Sequence, residues 1–284
     1  MHIHRIGDVT VLNDYAEIPG LGFLPVNAYV LHAEQPVVID SGLSTVDKDF
    51  VSALAQVLDP ADVRWFWITH PDRDHTGGLW QLLQAAPAAR LVTTFLGLGI
   101  MSCEWAIPLD RVFLLNPGQA LDVGDRRLHC FRPPLFDNPT TTGFLDDRTG
   151  TLFSSDCFGA PMPSLELATS TDVRAVGDQV RDLQLLWASV DSPWVHQVDE
   201  ARFRATVDSD RAMGEVIPDE IRRPTATRGT RLGLRNSLTP RARRNRSMDV
   251  AARFVLPSNT KSVDAHSTFR AATSMERFLP ALSK

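Results

Sequence analysis

Trp67-Ile68-Thr69-His70-Pro71-Asp72-Arg73-Asp74-His75-Thr76-Gly77-Gly78 puts four groups able to bind a metal within six residues, directly behind a very apolar run. Val63–Thr69 (VRWFWIT) reads as a buried strand, and Thr76–Ala86 (TGGLWQLLQAA), opened by the Gly-Gly pair, as the next helix. A loop at the mouth of a strand can aim several neighbouring side chains at one point, which a regular helix or strand cannot do. Imidazole nitrogens and carboxylate oxygens are ligands for zinc, iron and manganese. The plainer alternative is a charged surface loop with incidental histidines. Two carboxylates about 4 Å apart without a cation repel by on the order of 4 kcal/mol at an effective dielectric of about 20. A metal-binding loop is therefore the better explanation.

Upstream, Val26–Leu31 and Val37–Asp40 are short β-branched runs, the second ending in the turn Asp40-Ser41-Gly42. Asp47–Leu58 carries apolar residues at helical spacing and closes on Asp59-Pro60. Arg90–Thr94, Arg126–Phe131, Thr142–Leu145 and Thr151–Ser155 read as further strands, and Gln179–Ser189 and Glu200–Val207 as helices. This order predicts a layered α/β (α+β) domain. No GxGxxG or GxxxxGK[ST] supports a dinucleotide or nucleotide fold.

The composition, 43% apolar and 22% charged, is that of an ordinary globular chain, with no run long enough to span a membrane. The N-terminus lacks an apolar signal core, and Cys103, Cys130 and Cys157 form no CxxC pair. The expectation is a soluble cytoplasmic protein. Between Ile221 and Met248 stand nine arginines and no acidic residue, in a chain whose formal net charge is −5. No aromatic residue interleaves them for base stacking, so a solvated extension is preferred to a nucleic-acid interface. The expected division is a domain over residues 1–215 and an irregular, arginine-rich extension over 216–284.

The loop resembles the HxHxDH signature of the metallo-β-lactamase superfamily. Val26-Asn27-Ala28-Tyr29-Val30-Leu31 resembles that family's early strand, Val37-Val38-Ile39-Asp40-Ser41-Gly42 its IDTG turn, and Thr151-Leu152-Phe153-Ser154-Ser155-Asp156-Cys157-Phe158-Gly159 its later strand and bridging aspartate. Spanning about residues 9–200, the resemblance implies a four-layer αββα sandwich. It implies that His70 and Asp72 bind one metal, Asp74 and His75 a second, and Asp156 both, with Asp40 behind them orienting the loop.

Three positions depart from the pattern. Asp72 replaces a histidine, moving the preference towards iron or manganese, although zinc also accepts carboxylate. The flavodiiron proteins carry a carboxylate there, and LFSSDCFG is similar to their sequence. The third histidine is missing from Phe131–Thr140, where Asp137, with Asn138 beside it, takes its place or the position is empty. The last histidine has Asp191 and His196 as candidates, with His266 as a distant one. His129 and Cys157 read as structural.

The resemblance implies a metallo-hydrolase as the commonest activity. A water on two divalent ions (zinc or iron, with manganese an option) would attack an ester, thioester, amide or phosphodiester, with Asp74 orienting it as the catalytic carboxylate. The alternative is a diiron protein that binds or reduces oxygen or nitric oxide without a fused flavodoxin domain, fed by an external reductase. A third is a degenerate fold kept as a binding module. A small-molecule substrate is expected, no membrane, and a homodimer is left open.

Overall fold

The computed structural model describes residues 1–43, 49–177, 179–197 and 201. Seven strands form the larger sheet in chain order: β1 (His2–Ile6), β2 (Val9–Ile18), β3 (Gly22–Leu31), β4 (Val37–Ile39), β5 (Trp65–Trp67), β6 (Arg90–Thr93) and β7 (Val112–Leu114). Pairing is antiparallel from β1 to β4 and parallel from β4 to β7. The smaller, antiparallel sheet has the order β11 (Thr151–Phe153), β10 (Gly143–Asp146), β9 (Arg127–Phe131), β8 (Ala120–Asp122). The helices are α1 (Phe50–Leu54), α2 (Leu79–Ala85), α3 (Phe95–Met101), α4 (Leu165–Ala168) and α5 (Gln179–Asp191).

Alternation along the strands sets the layers. Ala28, Val30, Val38, Phe66 and Ile68 pack with Leu54 of α1 and Leu79 and Leu82 of α2. Their neighbours Leu31, Val37, Ile39 and Trp67 face the smaller sheet, meeting Leu128, Phe144 and Phe153. At the centre of that interface the Trp67 and Phe144 rings lie 4.6 Å apart and Phe144 and Phe153 4.5 Å apart. Helices α1 and α2 cover the outer face of the larger sheet, and the two sheets packed face to face give the sandwich expected, while Ala168 of α4 packs with Tyr15 and Phe23 of β2 and β3.

The differences from the sequence reading have local causes. Strands β1 and β2 escaped it because Val9–Asp14 is buried on both faces, polar Thr10, Asn13 and Asp14 included, so no two-residue period shows. Helix α2 begins at Leu79 rather than Thr76, because the Thr76 hydroxyl donates to Asp72 O (2.9 Å) and Gly78 N to Ser41 Oγ (3.1 Å), tying residues 76–78 into the preceding loop. Only Phe50–Leu54 of the helix expected over Asp47–Leu58 is regular; it is capped by Asp49, which accepts from Ser52 N at 3.1 Å. Residues 44–48, most of the helix read at Glu200–Val207, the boundary near 215, the arginine-rich stretch and His266 lie outside the described residues. Among the described residues, no helix is long and apolar enough to cross a membrane.

A buried ion cluster pins the two sheets at one end. The Arg126 guanidinium, 1% exposed, reaches Asp146 (0% exposed) at 3.0 Å, Asp8 in the β1–β2 turn at 3.0 Å and Asp125 at 2.8 Å. Removing one partner of such a cluster strands a charge that cannot reach water. Arg126→Ala should therefore cost about 3–5 kcal/mol in denaturant unfolding. Arg127→Ala, next door with an exposed side chain, should cost no more than about 0.5 kcal/mol.

Candidate metal centre

The residues singled out in the sequence converge at one mouth of the sandwich. The loop after β5 supplies His70, Asp72, Asp74 and His75, and the turn after β4 supplies Asp40. The β9–β10 connection supplies Asp137, the loop after β11 supplies Asp156, and the last residue of α5 is Asp191. The turn after β4 clamps the histidine loop: Ser41 N and Oγ both donate to His75 O (2.8 and 3.0 Å), and Gly77 N to Gly42 O (2.9 Å). Asp40 (φ 55°), Ser155 (φ 54°) and Phe158 (φ 70°) adopt left-handed backbone, at a cost of roughly 1–3 kcal/mol each. All three stand at this mouth.

Hydrogen bonding fixes both imidazoles. Asp40 Oδ1 accepts from Thr69 N (2.8 Å), and its Oδ2 accepts from Thr69 Oγ1 (2.8 Å) and from His75 Nδ1 (2.9 Å). A carboxylate can only accept, so His75 carries its proton on Nδ1. Its Nε2 then turns to Asp156 Oδ1 at 3.0 Å and Asp74 Oδ2 at 3.5 Å. The Thr69 hydroxyl spends its hydrogen on Asp40, and that of Ser155 donates to Thr69 Oγ1 (3.1 Å). Thr69 therefore presents only lone pairs to His70 Nδ1, 3.2 Å away, which favours a proton there. His70 Nε2 lies 3.4 Å from Asp156 Oδ2, 3.7 Å from Asp72 and 3.8 Å from Asp137.

His70 Nε2 and Asp137 Oδ1 are buried without any hydrogen-bond partner. A buried polar atom left bare is costly, and a cation between these groups removes that cost. His70, His75 and Asp156 each offer a ligand atom, all within 4.8 Å of one another; so do His70, Asp72 and Asp137, and so do Asp137, Asp156 and Asp191. The donors present fit metal ions.

Electrostatics agrees. Burial pushes Asp74 upward, and burial plus neighbouring carboxylates carries Asp137 to about 6 and Asp191 to about 7. Burial would also raise Asp156, but the two imidazoles outweigh it and hold that carboxyl well below its usual range. Burial opposes charge on His70 and His75, yet Asp156 and its neighbours raise both. The metal-free cluster is short of positive charge and keeps protons in its place.

Residues 21–150 match the metallo-beta-lactamase superfamily. Over these residues the fold is of the metallo-β-lactamase type. Curated relatives include an anaerobic nitric oxide reductase flavorubredoxin from Salmonella typhi, 27% identical over 134 residues (47% of this chain, 28% of that protein). Another is the rubredoxin-oxygen oxidoreductase of Megalodesulfovibrio gigas, 24% identical over 177 residues (62% and 43%). The match thus spans less than half the length of these relatives. Among solved structures, the flavodiiron protein from Giardia intestinalis superposes with a TM-score of 0.61 at 18% identity, over 75% of this chain and 52% of that one. That likeness shows the fold.

Within this fold, His70, Asp72, Asp74, His75, Asp137, Asp156 and Asp191 come together around a cleft of about 300 Å³. Asp191 stands with Asp137 and Asp156; the side chain of His196 lies outside the described residues. His129 pairs with Asp147 (3.2 Å), and Cys157 is buried in the lining of the cleft. Leu24, Pro25, Val26, Phe158, Met162 and Trp187 form apolar walls.

Sequence reasoning missed Thr69, Ser155, Asn138 and Tyr29. Asn138 Nδ2 donates to Asp72 Oδ1 (2.9 Å), leaving Oδ2 towards His70. These residues carry no ligand-type signature; only their position beside the ligands marks them.

Two expectations follow. Asp40→Ala frees Thr69 and His75 at once, and metal affinity, read by chelator competition, should fall about 10- to 100-fold. Asp191 titrates higher in the fold than its ordinary 3.8, so it opposes folding increasingly as pH climbs from 3.8 through about 7. In the metal-free protein Asp191→Asn should raise the melting temperature by a few degrees above about pH 7, and little near pH 3.8.

Proposed function

We propose that this domain holds two iron ions and reduces dioxygen or nitric oxide with electrons from a separate reductase. The observation that carries this reading is the ligand chemistry. Asp72 stands where the family's usual pattern has an imidazole, within reach of His70 together with Asp137. Two imidazoles are thereby surrounded by five carboxylates, a hard-oxygen set that favours iron over zinc. The flavorubredoxin and rubredoxin-oxygen oxidoreductase likenesses support the same choice. The sequence alone ranks hydrolysis first; carboxylate content and relatives together reverse that order.

His70, Asp72 and Asp137 would hold one ion and Asp74 and His75 the other. Asp156 would be shared, since its two oxygens already face the two histidines. Asp191, beside Asp137 and Asp156, is available to complete the shell. The iron pair, when bound, supplies the electron exchange. Asp40 keeps His75 Nε2 turned into the centre, Thr69 and Ser155 do the same for His70, and Asn138 steadies Asp72. The apolar walls limit water around the reacting gas.

Protein purified without added metal should contain about two irons per chain, and when reduced by an artificial donor it should consume oxygen or nitric oxide. Zinc in place of iron, with turnover of an ester or thioester, would return the assignment to the hydrolase. Asp74→Ala should keep about half the metal and lose gas reduction. Asp72→His should shift uptake towards zinc and lower gas consumption at least about tenfold.

A further inference from the structure

The floor of the cleft is built by β3, which presents Asn27 and Tyr29 on one face, two residues apart. The Tyr29 ring is fixed edge-on against Phe153, with centroids 5.4 Å apart at 82°. The Asn27 side chain lies beside its hydroxyl and favours the ionised phenol, as an amide NH2 turned towards the oxygen does. Asn13 Nδ2 donates to the backbone carbonyl of Ala168 (3.1 Å) and to Asn27 Oδ1 (2.7 Å). That bond leaves the Asn27 NH2 for the phenol oxygen, and the phenol stands in the lining of the cleft it shares with Asp74, His75 and Asp156.

Burial and the charges of Asp40 and Asp156 push the phenol above its ordinary value, so it keeps its proton through the neutral range. The array from Ala168 through Asn13 and Asn27 orients one neutral donor beside the acidic cluster. We propose that Tyr29 is a substrate-binding residue of this centre, its O–H donating a hydrogen bond to the small oxygen- or nitrogen-terminated ligand bound beside His75 and Asp156. This rests on the iron reading for the identity of the substrate, but the donor itself serves any small anion or gas with a lone pair.

Azide, titrated calorimetrically into metal-loaded protein, probes the donor whichever metal is present. Tyr29→Phe keeps the ring on Phe153 and should leave metal content unchanged while weakening azide about tenfold or more, the worth of one hydrogen bond to a charged partner. Turnover of oxygen or nitric oxide should fall by a similar factor. Asn27→Ala, which frees the hydroxyl to point elsewhere, should weaken azide by a smaller factor with the phenol still present. It provides the same test if Tyr29→Phe fails to fold.

Unchanged azide affinity in a fully metallated Tyr29→Phe protein would overturn the assignment. A wild type that binds azide in a Tyr29-dependent way but consumes neither gas would instead overturn the proposed function and leave the Tyr29 donor standing.

Discussion

The Asp40 carboxylate is the interaction on which the rest of the site depends. It sits in left-handed backbone at the end of β4 and accepts from the backbone and hydroxyl of Thr69 and from His75 Nδ1. One buried group thereby ties the ends of two adjacent parallel strands to the loop that carries the histidines. It also sets the tautomer of His75 directly and biases that of His70 through the Thr69 hydroxyl. Strain at Asp40 is the cost of aiming three hydrogen bonds from a single side chain, and the tight clamp of Ser41 and Gly42 on residues 75–78 holds it there.

Around this fixed point the centre is defined by a shortage of positive charge. Five carboxylates crowd two imidazoles; Asp74, Asp137 and Asp191 are pushed towards holding protons, and Asp156, facing both histidines, towards shedding its own. The bare Nε2 of His70 and Oδ1 of Asp137 express the same shortage in hydrogen-bond terms. Divalent ions meet both needs together, since they give positive charge and occupy lone pairs without a donor hydrogen. The opposite end of the sandwich solves its charge balance internally, with Arg126 held among Asp8, Asp125 and Asp146. That contrast separates a cluster built to hold a cation from one built to hold two sheets together.

Much of this was legible in the sequence because the ligands of the histidine loop are neighbours along the chain. Four of them fall between residues 70 and 75, behind an apolar strand, and a strand-end loop leaves them little choice but to face one mouth. Asp40 ends a recognisable strand, and Asp156 was marked by the resemblance to the family's later strand. The layers were not legible in the same way: Val37-Val38-Ile39 and Trp65-Phe66-Trp67 are apolar throughout, so only the packed sheets assign Val38 and Phe66 to one face and Val37, Ile39 and Trp67 to the other.

What only the tertiary structure decided concerns groups distant in sequence or silent in type. Asp137 and Asp191 were candidates that the sequence could set only beside an empty position or His196, until the β9–β10 connection brings Asp137 to 3.8 Å from His70 and α5 places Asp191 with Asp137 and Asp156. Tyr29 reads as a strand residue, and its donor role depends on a hydrogen-bond chain running from β2 to the carbonyl of Ala168. Sequence determines which chemistry a short segment can present, because local geometry is fixed by a few dihedrals. Which distant side chains share a cavity, and which way their protons point, depends on packing between layers, and that exists only once the chain has folded.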